Sequence, residues 1–117
     1  MSDDWYARPL VFVSAIDTAS TFYVGKLGFS EAWRHVEDGK ALVAQVERNG
    51  CELLLTCQWP DRIGTAIQFV SLDPEAFEAL GAACSAKSVQ TKPGEWGYEL
   101  LVIEDPDGNQ LFFPKPG

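Results

Sequence analysis

The sequence predicts an α+β fold of two tandem β-α-β-β-β modules, forming a curved mixed sheet with helices on its outer face. Two repeated patterns support this prediction. The run "FVSAID" at 12–17 recurs as "FVSLD" at 69–73, and each copy places an aspartate at the start of a helical pattern. A glycine turn before an apolar strand also occurs twice, at Gly50 and Gly108, with nearly the same spacing.

The first module covers about residues 7–60. Asp17 is placed to cap a first helix, whose apolar residues recur at helical spacing before Gly28 ends it. Strand candidates follow at 29–36 and 41–46, and "RNGCELLL" at 48–55 predicts a turn into a further strand. The stretch 61–64 is the natural junction with the second module.

The second module covers about residues 64–116. Asp73 is placed as the cap of its helix, with Pro74 at the first helical position. Strand candidates lie at 89–91 and 98–104, and "PDGNQLFF" at 106–113 predicts a turn before the last strand. Because modules this short cannot bury enough apolar surface alone, the pair is expected to form a single domain over 1–117.

Composition restricts the class of protein. The chain has 117 residues with 46% hydrophobic content, and no run approaches the roughly 18 apolar residues of a membrane span. Its start lacks the pattern of a secretory signal, so we expect a cytoplasmic protein without a membrane partner. The three cysteines show no CxxC spacing, which favours ordinary packing over a disulfide framework or a zinc site.

The balance of acidic and basic residues restricts which binding partners the protein can have. Seventeen acidic against nine basic side chains give a net charge of −8, which repels phosphate backbones and excludes nucleic acid as an expected partner. An acidic surface is compatible with solubility alone. It is also compatible with a groove that attracts a cationic small molecule.

The motifs "FYVGKLGF" at 22–29 and "DPDGN" at 105–109, on a duplicated framework, resemble the vicinal oxygen chelate superfamily. That superfamily includes glyoxalase I, extradiol dioxygenases, fosfomycin-modifying transferases and bleomycin resistance proteins. Most of its enzymes hold a divalent metal with His and Glu on the inner face of the sheet. By position, those ligands fall here on Arg8, Leu54, Phe112 and within 65–67, and none of these residues suits the role.

The resemblance therefore implies a protein without a metal or another cofactor, closest to the bleomycin resistance branch. Trp33 in "LGFSEAWRHVEDG" takes the place of an aromatic that lines the drug groove there, and Trp96 that of a tryptophan that stacks on the drug. The "ARP" at 7–9 resembles a first strand that those proteins exchange between subunits. The resemblance implies a drug-sequestering homodimer with two grooves at the subunit interface and no catalytic residues.

Residue types in these segments fit a cationic, planar ligand such as a cationic glycopeptide antibiotic, which needs aromatic faces and carboxylates. The candidate aromatic faces are Trp33, Trp96, Phe12, Phe69 and Phe112. The candidate charges are Glu37, Asp38, Glu95 and Glu99. Core packing is the alternative for each aromatic, and a solvated surface charge is the alternative for each acid.

Two other classes of function stay open. One is a glyoxalase-like or dioxygenase-like enzyme with an unusual metal site, or with metal-free chemistry at Tyr98, Glu99, His35 or a cysteine. His35 lies away from the expected ligand positions, and one imidazole cannot replace the missing set. The other class is a pure interaction or structural module, whose inner face would be filled by its own side chains.

Overall fold

The computed structural model describes residues 6–86, 91–92 and 100–115, with side chains for 6–84 and 101–115. It confirms the expected α+β fold with two tandem β-α-β-β-β modules. Neither helix in the described ranges combines the length and apolar character needed to cross a bilayer.

The first module forms a four-stranded sheet, which we call sheet 1. Its elements are β1 (Leu10–Phe12), α1 (Ile16–Gly25), β2 (Ser30–Glu37), β3 (Lys40–Arg48) and β4 (Cys51–Thr56). The strand order is β1-β4-β3-β2, in which β1 and β4 are parallel and the other pairs are antiparallel. A short 3-10 turn, Pro60–Arg62, leads towards the second module.

The second module forms sheet 2. Its elements are β5 (Ile67–Phe69), α2 (Pro74–Ala86), β6 (Thr91–Lys92), β7 (Leu100–Glu104) and β8 (Gln110–Pro114). Their order, β5-β8-β7-β6, repeats that of sheet 1. The expected curved sheet is thus divided into two hydrogen-bonded sheets over the described residues, because β1 and β5 each lie at an edge and pair with the last strand of their own module.

The two helices start differently. Asp73 caps α2 as predicted, since its Oδ1 accepts a hydrogen bond from the Ala76 backbone N–H at 2.8 Å. The prediction of Asp17 as the cap of α1 was wrong, because that helix has Ala15 at its N-cap. Asp17 lies in the first turn instead, where its carboxylate accepts a hydrogen bond from Arg34 on β2 at 2.7 Å.

The helix-facing side of each sheet carries the core, and we call the opposite side its inner face. In sheet 1, Ala44 and Val46 pair with Leu55 and Leu53, and all four are buried. Their face meets α1, because Ser20 of that helix bonds Glu31, which lies opposite Val46. Leu111 and Phe113 of β8, with Leu80 of α2, belong to the same buried cluster. One core therefore joins the two modules.

Candidate functional site

A row of four side chains crosses the inner face of sheet 1. Trp33 of β2 pairs with Gln45 of β3, Gln45 pairs with Leu54 of β4, and Leu54 pairs with Leu10 of β1. The register shifts between Glu31 and Trp33, so that a β-bulge turns Trp33 to the face opposite Glu31. Trp33 remains 43% exposed. The row is exposed at its two ends, at Trp33 and Leu10, and Gln45 between them is buried.

The phenylalanines predicted to line the groove form two separate aromatic pairs. Phe12 packs edge-on against Trp59, with ring centroids 6.0 Å apart. Phe69 lies 5.5 Å from Phe112 on the inner face of sheet 2, and Phe69 is 52% exposed. The sequence prediction missed Trp59, although its position after the last strand of the first module, beside Pro60, was a visible signal.

The predicted site residues are not brought together in one place. β1 and β2 are opposite edges of sheet 1, so Phe12 and Trp33 are separated by three strand spacings, about 14 Å. Phe69 and Phe112 belong to the other sheet. Trp96 and Glu99 lie outside the described residues, as do Glu95 and Tyr98.

The predicted acids of the first module lie at the β2–β3 hairpin. Asp38 occupies the turn with φ +51° and is exposed. The carboxylate of Glu37 lies 2.8 Å from Nε2 of His35, and both side chains are exposed. These residues form a solvated tip at the edge of the sheet.

Two acids that the sequence prediction missed lie on the inner face itself. Glu47 and Glu52 pair across β3 and β4, on the same face as Gln45. Glu47 accepts a hydrogen bond from Gln45 Nε2 at 3.1 Å. Oε1 of Glu52 is buried without a hydrogen-bond partner among the described residues. Strand alternation counted from Leu54 was the signal that identifies Glu52, whereas the face of Glu47 follows from its pairing with Glu52 across the turn.

The residues at the superfamily's metal positions do not fit a metal. Arg8 is a cation that donates to Gln45, and the side chains of Leu54 and Phe112 offer no donor atoms. Within 65–67, the only side-chain heteroatom is the Thr65 hydroxyl, which donates to the Arg62 carbonyl. Among the described residues, no group of three His, Cys, Asp or Glu side chains is placed to hold a metal ion.

The "DPDGN" turn is a structural junction centred on Asp105, which is 5% exposed. Its Oδ1 accepts hydrogen bonds from the backbone N–H groups of Asp107 and Asn109, each at 2.9 Å. Its Oδ2 accepts the phenol of Tyr23, on α1 of the other module, at 2.9 Å. Burial, followed by the charge of Asp105, raises the pKa of Tyr23 far above its ordinary value.

Asn109 extends this junction to the first strands of both modules. Its Nδ2 donates to the Phe12 carbonyl at 2.8 Å, and its Oδ1 accepts the Ala66 N–H at 3.0 Å. Gly64 packs so closely that an added Cβ would meet the Asp107 carbonyl oxygen at 2.3 Å. The motif that marks the family in sequence therefore serves here to hold the modules together.

The cysteines pack against the core as the sequence predicted. Cys84 is buried, while Cys51 and Cys57 are half-buried beside the core cluster. Burial, with a smaller contribution from Glu52, raises the pKa of the Cys51 thiol. Cys51 also lines a cavity of about 80 Å³ between the modules. The other lining residues include Leu27, Phe29, Val70, Leu80 and Phe113.

Two tandem β-α-β-β-β modules, each with a sheet whose inner face carries exposed side chains, are the architecture of the vicinal oxygen chelate class of proteins. The chain belongs to the glyoxalase/bleomycin resistance protein/dioxygenase superfamily, whose family model matches residues 4–113. Among curated proteins, no sequence matches this chain.

Solved structures share the fold at low sequence identity. TnmS3, an antibiotic binding protein from Streptomyces sp. CB03234, has a TM-score of 0.79 and 22% identity over 100% of both chains. The bleomycin-binding protein of Streptomyces verticillus has a TM-score of 0.72 and 21% identity over 100% of both chains. Lactoylglutathione lyase from Agrobacterium tumefaciens has a TM-score of 0.73 and 15% identity, covering 97% of this chain and 96% of its own. The superfamily therefore contains both binding proteins and enzymes.

Proposed function

We propose that this protein is a metal-free binding protein that sequesters a cationic, planar antibiotic or a similar small molecule. One combined observation carries the proposal. Aromatic side chains are exposed on the inner faces, and the superfamily's metal-ligand positions are occupied by Arg8, Leu54 and Phe112, which do not bind metals. Family membership and the antibiotic-binding and bleomycin-binding neighbours support this choice of ligand class. We propose a cytoplasmic, non-enzymatic protein.

The proposed binding groove forms between two copies of the chain. Within one chain, Trp33 and the Phe69–Phe112 pair lie on different sheets, and Trp33, Ile67 and Phe69 are each at least 43% exposed. Exposed apolar side chains grouped on sheet faces are typical of an interaction surface. A symmetric dimer would cover them and give each groove aromatic side chains from both subunits. Trp96, Asp38 and Glu99 are proposed to complete the groove.

The exposed side chains on the inner faces argue against an interaction module, because the inner face of such a module would be filled by its own side chains. Stacking on a partly exposed ring such as Trp33 needs no rearrangement of the core, since Ala44 and Val46 pack on the other face of the same sheet. The acids Glu47 and Glu52 add negative charge to the same face of sheet 1, which favours a cationic ligand.

A thermal-shift screen tests this proposal. Cationic glycopeptides, including bleomycin, and other planar antibiotics are added to the protein beside separate samples with divalent metals. A ligand that binds only the folded state raises stability in proportion to RT ln(1 + [L]/Kd), so weak binders register as well. We expect at least one planar cationic compound to raise the Tm and divalent metals alone to leave it unchanged. A metal that raises the Tm while every antibiotic fails would overturn the proposal.

A further inference from the structure

Arg8 is an exposed cation on the inner face of sheet 1. Arg8 lies two residues before Leu10, ahead of β1, and its hydrogen bond to Gln45 places it on the inner face. Its Nη1 donates to Gln45 Oε1 at 2.9 Å, and its guanidinium carbon lies 5.9 Å from the centre of the Tyr6 ring. No ion pair joins Arg8 to a carboxylate in the part of the chain that the structure describes. Among the described residues, the Arg8 guanidinium therefore contacts a neutral amide and a ring face, and it is otherwise exposed to solvent.

Gln45 fixes the direction in which Arg8 points. This glutamine is 6% exposed, and both ends of its amide are engaged: Oε1 accepts from Arg8, and Nε2 donates to Glu47. Reversing the amide would place an NH₂ group against the guanidinium and an oxygen against a carboxylate, which is unfavourable at both ends. The amide therefore holds Arg8 across β4, towards β3.

This direction brings the guanidinium towards Trp33. Gln45 pairs directly with Trp33, and adjacent strands lie about 4.8 Å apart. Arginine has five N–H donors and no acceptor, so one bond to Gln45 leaves most of them directed elsewhere. A flat ligand stacked on the exposed Trp33 ring would present its edge to these donors.

We propose that Arg8 recognises an anionic oxygen, of the carboxylate class, at the edge of a planar aromatic ligand that stacks on Trp33. This inference rests on the proposed binding function and refines its ligand class to a molecule that also carries an acceptor oxygen. Arg8 supplies a charge-assisted hydrogen bond, and Gln45 is a positioning residue. A planar ligand with a basic group elsewhere satisfies both Arg8 and the acids Glu47 and Glu52.

Three matched probes test the assignment: anthracene-9-carboxylate, neutral 9-anthracenemethanol and cationic 9-(aminomethyl)anthracene. Fluorescence titration gives their Kd values for the wild type, Arg8→Gln, Gln45→Met and Trp33→Ala, with Arg62→Gln as the control. Arg62 is an exposed arginine on the turn between the modules, and its replacement changes the net charge as Arg8→Gln does. Circular dichroism melting verifies that each variant is folded.

We expect the wild type to bind the carboxylate on the order of tenfold more tightly than the alcohol, as one charge-assisted hydrogen bond allows. The net charge of −8 acts against that preference, so it cannot arise from the overall field. Arg8→Gln should abolish the preference, Gln45→Met should reduce it, and Arg62→Gln should preserve it. The alcohol should bind the wild type and Arg8→Gln equally.

Two other results would each overturn the role of Arg8. One of them leaves the proposed binding groove intact, and the other rules the groove out as well. If the alcohol binds in a Trp33-dependent manner but the carboxylate gains nothing from Arg8, the groove stands and the role of Arg8 is wrong. Such a result, with a lower Tm for Arg8→Gln, would indicate that Arg8 serves the fold through its bond to Gln45. If none of the probes binds any form of the protein, the proposed groove itself fails, together with this inference.

Discussion

Asp105 shows how a sequence motif and its structural role can differ. Its carboxylate is buried and accepts four hydrogen bonds, one of them from the Tyr23 phenol in the other module. A buried carboxylate is costly unless its acceptors are used, so each donor contributes to stability. The residue is therefore a junction between modules.

Removing the Tyr23 hydroxyl should destabilise the protein. In Tyr23→Phe, Asp105 Oδ2 loses one of its two donors in a buried site, which should cost about 1–3 kcal/mol of unfolding free energy. Urea unfolding followed by circular dichroism measures the change. Tyr6→Phe, which alters an exposed ring, is the control and should change stability little. Equal stability of Tyr23→Phe and the wild type would contradict the junction.

Tyr23 should also make stability depend on pH in the alkaline range. Burial and the charge of Asp105 raise its pKa in the folded state, whereas an unfolded tyrosine ionises at about pH 10. The stabilisation is present below that pH and is lost as the pH rises above it, by up to about 1.4 kcal/mol per pH unit. Unfolding free energies measured on both sides of that pH should fall more steeply for the wild type than for Tyr23→Phe. Parallel curves would contradict the prediction.

The sequence predicted the shape of the "DPDGN" turn but not the residues that the turn contacts. The positive φ of +99° at Gly108 follows from residue type. The contacts with Tyr23 and Phe12 join residues 82 and 97 positions apart, which no local pattern specifies. The polar chain from Arg8 through Gln45 to Glu47 was missed for the same reason.

The strand β2 shows how one irregularity sets the orientation of a functional side chain. Without the bulge after Glu31, strict alternation would place Trp33 on the same face as Glu31, against α1. The bulge instead exposes the indole on the inner face. A sequence reading can predict the strand but not the inserted residue, because the bulge depends on pairing with β3.

Replacing Trp33 should separate binding from packing. Since its side chain is 43% exposed, Trp33→Ala should cost about 1 kcal/mol or less of stability while weakening a stacked planar ligand by about 1–3 kcal/mol. Leu55→Ala, at a fully buried site on β4, should cost about 2–5 kcal/mol. Chemical unfolding and ligand titration measure the two effects. A large stability loss in Trp33→Ala without a change in affinity would assign Trp33 to the core.

The two helix starts offer a matched test of capping. Asp73→Ala removes the hydrogen bond to the Ala76 N–H and should cost about 0.5–2 kcal/mol. Asp17→Ala removes no cap, only an exposed ion pair with Arg34, and should cost about 1 kcal/mol or less. Melting in low and high salt distinguishes them, because only the Asp17 effect should disappear at high salt. Equal, salt-sensitive losses would show that Asp73 is not a cap.

For the whole molecule, the duplicated sequence predicted two modules correctly because strand, turn and helix signals are local. The division into two sheets was not predictable, since it depends on which edges β1 and β5 occupy. The proposed covering of the inner faces by a second chain belongs to the same category, since a single sequence carries no direct signal for a subunit interface. Exposed Ile67 and Phe69 on β5 supply the structural argument for a dimer.

Sedimentation equilibrium should give about twice the chain mass of 12.9 kDa at micromolar concentration. Ile67→Asp places a charge on the proposed interface and should shift the protein to monomers. Val24→Asp is the matched control, because Val24 is an exposed apolar residue on α1, away from the inner faces. A monomeric wild type, or a dimer unaffected by Ile67→Asp, would remove the interface groove.

A planar ligand is proposed to bind through the aromatic inner face without a metal. Calorimetric titration of the strongest ligand from the antibiotic screen tests it most directly, with protein treated with a chelator and protein incubated with divalent metal. We predict one ligand per chain and the same Kd in both samples, because Arg8, Leu54 and Phe112 leave no ligand set for a metal. Binding that appears only after addition of one metal ion per chain would contradict the account.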